Sequence, residues 1–279
     1  MVVGLTGILD LGYIAFYGVG AYTYALASVH LGLSFWLSLP LSALVAAAWA
    51  SIVGYPTLRL RGDYLAIVTL SFGEIVRTLF NNWMDLTNGP NGILGIKPPS
   101  IFLPSFDGIS ISFELVPLLS VGSLYYIILG MTLCTALAIR RLSYSRIGRA
   151  WEAIREDQAA AELMGVNTHR LKLLAYSIGA AFGGLAGAFF AGHMRFVSPQ
   201  SFTFIESVMV LAMVVLGGMG SILGVILGAF VLIILPEWFR DFESYRMLAF
   251  GGAMAIMMII RPAGLWPDWR RSRVTQASD

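Results

Sequence analysis

Residues 11–58 read LGYIAFYGVGAYTYALASVHLGLSFWLSLPLSALVAAAWASIVGYPTL, a run without charged side chains apart from the possible charge on His30. As a helix these 48 residues would extend about 72 Å, at a rise of about 1.5 Å per residue. The hydrocarbon core of a bilayer is only about 30 Å thick. The run therefore predicts two membrane crossings, with a turn near residues 30–32 and the second crossing entered between Leu33 and Pro40.

Other long stretches with few charges indicate the remaining crossings. They are residues 64–80, 115–139, 173–192, 201–236 and 247–260. The stretch 201–236 is too long for one crossing, and its glycine-rich segment 217–221 permits a turn. Together these stretches predict an all-α fold, a polytopic integral membrane protein with about eight transmembrane helices.

The composition agrees with a membrane environment and excludes other classes. The chain is 57% hydrophobic and 12% charged, whereas a soluble domain has about 25% charged residues. The net charge of +2 is too balanced for nucleic-acid binding. Cys134 is the single cysteine, so the chain cannot form an internal disulfide.

The distribution of basic residues predicts the orientation. With eight crossings, 13 of the 18 Lys and Arg residues fall on one side, in segments 59–63, 140–172 and 261–279. Positive charge stays cytoplasmic, so both termini are expected on the cytoplasmic side of the membrane. We therefore expect a single transmembrane domain over residues 1–279. Its parts are a cytoplasmic coupling loop 140–172, an outer loop 82–114 and a cytoplasmic C-terminal tail 262–279.

The cytoplasmic loop predicts an amphipathic helix. Residues 149–164 are rich in good helix formers, and Gly165 can end the helix in a left-handed cap. The apolar stripe is formed by Ile147, Trp151, Ile154, Ala161 and Met164. The opposite face carries both signs of charge, which favours a soluble protein partner over anionic lipid. A surface helix resting on the headgroups is the alternative.

The same loop carries a family resemblance. Glu152-Ala153 followed by Gly165 resembles the coupling loop of ABC-importer permeases, and GRAWEAIRED at 148–157 resembles those for branched-chain amino acids and their urea- and amide-importing relatives. Further matches cover nearly the whole chain: GLTGILDLG at 4–12, GVGAY at 18–22, TNGPNGI at 87–93, VSP at 197–199, VLGGMGS at 215–221 and RP at 261–262. Such permeases usually have apolar segments before the first of these motifs, where this chain begins.

The resemblance implies a permease subunit in a bacterial inner (plasma) membrane that imports branched-chain amino acids, with urea or short amides as the alternative. It also implies a homologous second permease, two ATP-binding cassette subunits and an extracytoplasmic solute-binding protein as partners. The chain itself is expected to be no enzyme and to hold no cofactor or metal. A P-loop needs a Gly-Lys pair, and the two lysines, Lys97 and Lys172, do not follow glycine.

Three sets of residues are candidate sites. Coupling to the ATPase is assigned to Arg149, Trp151, Glu152, Ala153, Arg155, Glu156 and Gly165. Glycine-interrupted apolar segments can mark a transport pathway, with tight helix packing as the alternative; the candidates are Gly4, Gly7, Asp10, Gly217, Gly218 and Gly220. The resemblance implies docking of the binding protein on the outer loop, at Asn88, Gly89, Pro90, Asn91 and Gly92.

Two other classes of function compete with the ABC permease. An ion-coupled secondary transporter or channel would use acidic residues within the membrane, and the candidates are Asp10, Glu74 and Glu206. Each also has a structural explanation, because Asp10 can cap a short helix, Glu74 can pair with Arg77 and Glu206 can lie at the outer interface. A membrane enzyme is not expected, because His30, His169 and His193 lie in separate segments without a metal or triad motif.

Overall fold

The computed structural model describes residues 2–60, 62–107, 110–117, 120–238, 251–252 and 264–266. A short π-helix at Val2–Thr6 precedes the first α-helix. The α-helices are α1 Tyr13–Val29, α2 Phe35–Thr57, α3 Asp63–Asn82, α4 Met84–Thr87, α5 Val121–Ser143, α6 Arg146–Glu156, α7 Gln158–Leu163, α8 Thr168–Met194, α9 Phe204–Gly217 and α10 Ile222–Trp238. The strands are β1 Ile93–Leu94, β2 Ser100–Asp107, β3 Ser110–Pro117 and β4 Phe196–Val197.

The contacts divide the chain into two compact units. The first unit comprises residues 1–9, 140–168 and 205–279, and the second unit comprises residues 10–139 and 169–204. The first unit thus holds α6, α7, α10 and nearly all of α9, whereas the second unit holds α1 to α4 and most of α5 and α8. Each unit is described by itself.

The long uncharged run forms two helices with a break where the sequence predicts one. Helix α1 ends at Val29 and α2 begins at Phe35, and Gly32 between them has a φ of +64°. A positive φ suits glycine because it has no Cβ. The expected break in the stretch 201–236 is also present, since α9 ends at Gly217 and α10 begins at Ile222.

Within the described residues, four helices are long and apolar enough to cross a membrane. They are α2 Phe35–Thr57, α5 Val121–Ser143, α8 Thr168–Met194 and the stretch Pro199–Gly217, which includes α9. A shorter apolar stretch, Ile222–Ile234, lies within α10. The chain therefore fits a mostly helical polytopic membrane protein. The count of eight crossings stays a prediction, and the predicted crossing 247–260 lies outside the described residues except for 251–252.

The core of the second unit depends on close approach between helices α1, α2 and α8. A Cβ at Gly184 in α8 would stand only 2.7 Å from the Ala46 side chain and 2.7 Å from the Ser42 carbonyl in α2. A Cβ at Gly20 in α1 would overlap the backbone of Gly184. Small residues let helices approach closely in membranes, and here they bring three helices into direct backbone contact.

The outer segment 82–114 is more structured than the predicted loop, and the all-α expectation needs correction there. Strands β2 and β3 form an antiparallel hairpin in which Phe102 faces Leu115. The sequence Ser-Ile-Ser-Phe-Glu-Leu at 110–115 alternates polar and apolar residues, as a strand does. Residues 115–117 therefore belong to β3, and helix α5 begins at Val121 rather than at residue 115.

The segments predicted to lie outside the membrane meet at one end of the second unit. The Lys97 N–H donates to Ser28 Oγ at 3.0 Å, and the Tyr24 hydroxyl donates to the Lys97 carbonyl at 2.7 Å. Strands β1 and β4 pair at the same end, with Ile93 opposite Val197. The turn after α1, the segment after α3 and the segment after α8 are thus joined, as alternating crossings require.

Candidate functional site

The predicted coupling helix is present as two shorter helices. Helix α6 ends at Glu156 and α7 begins at Gln158, because Asp157 between them has extended backbone angles. Its carboxylate accepts the N–H groups of Ala159 at 2.8 Å and Ala160 at 3.1 Å. The prediction of one helix over 149–164 is therefore wrong, since an Asp that caps the following turn competes with a continuous helix.

The predicted left-handed cap at Gly165 is confirmed. Gly165 has a φ of +83°, its N–H donates to Glu162, and the Val166 N–H donates to the Ala161 carbonyl. This is the hydrogen-bond pattern of a Schellman motif. Met164, which the sequence assigns to the apolar stripe, is 85% exposed.

Helix α7 is tied to the first residue of α8 through one carboxylate. Glu162 Oε1 accepts the Thr168 hydroxyl at 2.5 Å and the Gln158 amide at 2.9 Å. Thr168 is buried. These bonds tie the two ends of α7 to Thr168 within the first unit.

The residues assigned to coupling separate into an inner and an outer set. Trp151 is fully buried, so it packs inside the first unit and offers no surface to a partner. Arg149, Ala153 and Glu156 are exposed, and Glu152 is half-buried. The coupling role of all these residues stays a prediction.

Arg155, a residue of the predicted coupling site, contacts three glycines of the predicted substrate pathway. The sequence did not indicate this contact. Arg155 Nη1 donates a hydrogen bond to the carbonyl of Gly4, 151 residues away in the chain. A Cβ at Gly7 would stand 3.0 Å from Arg155 Cγ, and a Cβ at Gly220 would stand 3.5 Å from Arg155 Nη1. We call this contact of Arg155 with Gly4, Gly7 and Gly220 the Arg155 junction.

The glycine-rich segment 217–221 contributes to close helix packing and makes the turn between α9 and α10. Gly217 and Gly228 pack the hairpin of α9 and α10, because a Cβ at Gly228 would stand 2.8 Å from Gly217 N. Gly218 and Gly220 have φ angles of +116° and +102° and make the turn. Residues 264–266 contact this hairpin, since the Leu265 N–H donates to the Leu216 carbonyl at 2.9 Å.

Gly4 and Gly220 of the predicted pathway are in direct contact. A Cβ at Gly4 would stand 2.9 Å from Gly220 N and 3.0 Å from Gly220 Cα. Such spacing supports tight packing at Gly4. A substrate-lining role for either glycine stays a prediction.

The acidic candidates for ion coupling have structural partners or lie at the surface. Asp10, in the second unit, is buried and accepts the Gly12 N–H at 2.9 Å. Glu74 Oε2 pairs with Arg77 Nη2 at 2.8 Å. Glu206 is exposed in the first turn of α9. In the part of the chain that the structure describes, no group of three His, Cys, Asp or Glu residues is placed to hold a metal ion.

The predicted docking loop is a compact turn with a rigid base and an exposed rim. Asn88 has a φ of +59° and its side-chain amide donates to the Gly92 carbonyl at 3.0 Å. Gly89 and Gly92 are buried and have positive φ, so they shape the turn. Asn88, Pro90 and Asn91 are exposed, and only these three could touch a partner.

Known proteins similar to this chain are membrane permeases. The family described as the branched-chain amino acid transport system permease component matches residues 1–261. The chain is 50% identical to the high-affinity branched-chain amino acid transport system permease protein LivM of Escherichia coli, over 97% of this chain. It covers 66% of that relative's length, slightly less than two thirds.

Two further relatives are more distant. The chain is 27% identical to the corresponding permease protein LivH of Escherichia coli, over 95% of this chain and 87% of that protein. It is also 27% identical to the permease protein BraD of Pseudomonas aeruginosa, over 95% of this chain and 88% of that protein. No solved structure matches the chain significantly.

Proposed function

Since the chain belongs to the family of branched-chain amino acid transport system permease components, we propose that it is the membrane-spanning subunit of an ATP-driven importer for branched-chain amino acids. The observation that carries the proposal is the helix pair α6 and α7, which presents exposed side chains between two long apolar helices. The 279 residues hold no Gly-Lys pair, so ATP would be hydrolysed by two separate subunits.

The exposed side chains of α6 and α7 form a surface suited to a protein partner. Leu163 and Met164 are 88% and 85% exposed and are adjacent in the chain. They lie in the segment 140–168, where the positive-inside rule favours a cytoplasmic location. Exposed large apolar side chains can mark a protein-interaction site, and the exposed Arg149 and Glu156 lie on the preceding helix α6.

The charges near this apolar pair favour a protein over the lipid headgroups. Residues 149–165 carry four acidic residues and two arginines. Helices that bind anionic lipid carry basic residues on their polar faces. A segment with more acidic than basic residues would be repelled by such lipid. We therefore assign this surface to an ATPase subunit.

The other partners follow from the relatives and from the predicted outer loop of the second unit. LivM and LivH of Escherichia coli are both named as permease proteins of a high-affinity branched-chain amino acid transport system, and both resemble this chain. This supports pairing of the chain with a homologous second permease. The exposed rim of Asn88, Pro90 and Asn91 is proposed to meet the substrate-loaded binding protein.

Uptake by the reconstituted importer tests the proposal. The chain would be purified with its second permease and ATPase subunits, placed in proteoliposomes and supplied with the binding protein and radiolabelled leucine. We expect accumulation that requires ATP, persists with a proton uncoupler and is competed by isoleucine and valine but not by urea. The matched control contains ATPase subunits that bind but do not hydrolyse ATP.

Two results would contradict this function. Uptake that collapses with the uncoupler at constant ATP would favour an ion-coupled transporter. Transport of urea in place of leucine would keep the ABC permease and overturn the substrate.

A further inference from the structure

The Arg155 junction joins three segments of the first unit that are distant in sequence. Arg155 lies in the last turn of α6, Gly4 lies in the π-helix Val2–Thr6, and Gly220 lies in the turn between α9 and α10. The carbonyls at the end of a helix lack partners inside it. Arg155 supplies a charged donor to the Gly4 carbonyl, and such bonds are stronger than neutral ones.

Both parts of the Arg155 side chain are held. Its apolar stem passes Gly7, which is exposed and has a φ of +70°, and a Cβ at Gly7 would be 3.0 Å from Cγ and 3.8 Å from Cβ of Arg155. Its guanidinium meets Gly4 and Gly220. Glycine at position 7 leaves room for the stem, and the glycines at 4 and 220 allow the backbone at Gly4 to pack directly on the backbone at Gly220.

The rest of α6 is anchored on the same unit. Trp151 and Ile154 are buried, whereas Ala153 and Glu156 are exposed. The helix therefore has one face packed in the unit and another open to a partner. Arg155 is half-buried and extends from this helix to the backbone of the two glycine-rich segments.

We propose that Arg155 is the positioning residue that transmits displacement of α6 to the Gly4–Gly7 segment and to the Gly218–Gly220 turn. The inference rests on the proposed function, since it assigns Arg155 to transmission of the ATPase movement and not to docking. A force on α6 moves both glycine segments together, because Arg155 binds the Gly4 carbonyl and the backbone at Gly4 packs directly on Gly220. The positive-φ glycines at 7, 218 and 220 allow the chain to bend beside the fixed contact.

Substitution of Arg155 tests this role in the reconstituted importer. Arg155→Ala should assemble and hydrolyse ATP, while leucine transported per ATP falls about tenfold, since a hydrogen bond to a charged group contributes about that factor. Arg155→Lys should recover part of the loss, because it keeps a charged donor on an apolar stem. Arg146→Ala is the matched control, since Arg146 is an exposed arginine in the first turn of the same helix.

A reversible disulfide separates transmission from a merely structural contact. The Cβ spacing of 3.8 Å between positions 7 and 155 matches the mean spacing of about 3.8 Å in disulfides. The double variant Gly7→Cys with Arg155→Cys would be made with Cys134→Ser, which removes the single native cysteine. We expect the reduced protein to be uncoupled and the oxidised protein to regain leucine transport per ATP.

The contrary outcomes are distinct. Normal transport per ATP in Arg155→Ala would overturn the proposal, as would an oxidised double cysteine variant that stays uncoupled or is arrested. Loss of assembly or of ATPase activity in both Arg155→Ala and Arg155→Lys would assign Arg155 to docking or folding instead, and would leave the permease function intact. Absence of ATP-dependent uptake by the unsubstituted complex would count against the permease function itself.

Discussion

Two sets of glycines, one in the helical core of the second unit and one beside Arg155 in the first unit, serve different purposes. In the second unit, Gly20, Gly184 and Gly187 lie inside helices and let α1, α2 and α8 touch through their backbones. In the first unit, Gly7 and Gly220 have positive φ and surround the Arg155 side chain. One set removes space between helices, whereas the other permits bends beside a single long side chain.

This difference indicates a packed helical core and an articulated coupling region. Interiors packed to high density resist small changes in volume, so the contact of α1, α2 and α8 should tolerate no added side chain at its glycines. The first unit has bends at Gly7, Gly218 and Gly220, beside α6, where an outside partner would act. Glycine therefore supports close packing in one place and bending in the other.

The strongest effect is expected from closing space inside the helical core. A Cβ at Gly187 would stand 3.0 Å from the Ala21 N–H nitrogen and would overlap the Tyr17 carbonyl. Gly187→Ala should destabilise the protein by about 3 kcal/mol, since overpacking that shifts a backbone is costly. The measurement is the melting temperature of the purified complex in detergent.

Gly130→Ala is the matched control for Gly187→Ala. Gly130 is also a helical glycine, but nothing lies within 4 Å of the position its Cβ would take. This change should leave stability unchanged or raise it by up to about 1 kcal/mol, because alanine favours the helix. Equal melting temperatures for the two variants would refute the claim that the glycines lock the core.

A smaller loss of stability is expected from substitution of Gly165, which caps the helix end next to the exposed Leu163 and Met164. Gly165 has a φ of +83° and open space around it, so only its backbone angle matters. Gly165→Ala should cost about 1 kcal/mol, since alanine resists the left-handed conformation. Gly165→Asn should cost less, because asparagine adopts that conformation more readily.

Hydrogen exchange of the amides at 165 and 166 is the measurement for this pair. Faster exchange in Gly165→Ala than in Gly165→Asn is expected, because the capping bonds from these amides weaken more. The opposite order would mean that something other than the backbone angle controls the cap.

The sequence predicted the elements whose signal is local. The break near Gly32, the break at 217–221 and the cap at Gly165 follow from glycine and from the lengths of apolar runs, and the structure has all three. The break at Asp157 was missed because good helix formers on both sides outweighed one capping side chain. Strand β3 was missed because its apolar end merged with the apolar helix that follows.

The site was only partly predictable for a physical reason. Helix periodicity indicated an apolar stripe on α6, and of that stripe Trp151 and Ile154 are buried whereas Ile147 is half-buried. Periodicity carries no information about a contact 151 residues away, so the bond from Arg155 to Gly4 appeared only in the folded chain. The glycines were noticed for their spacing, whereas their arrangement around one arginine depends on tertiary structure.

Photo-crosslinking from Met164 tests whether the exposed end of α7 receives an ATPase subunit. A photoreactive phenylalanine derivative would replace Met164, or Leu31 as a control that is also exposed but lies in the turn after α1. We expect the photoreactive residue at position 164 to crosslink to the ATPase subunit in the intact importer, and the one at position 31 not to do so. Crosslinks from Met164 to lipid alone, in a complex that still transports leucine, would contradict it.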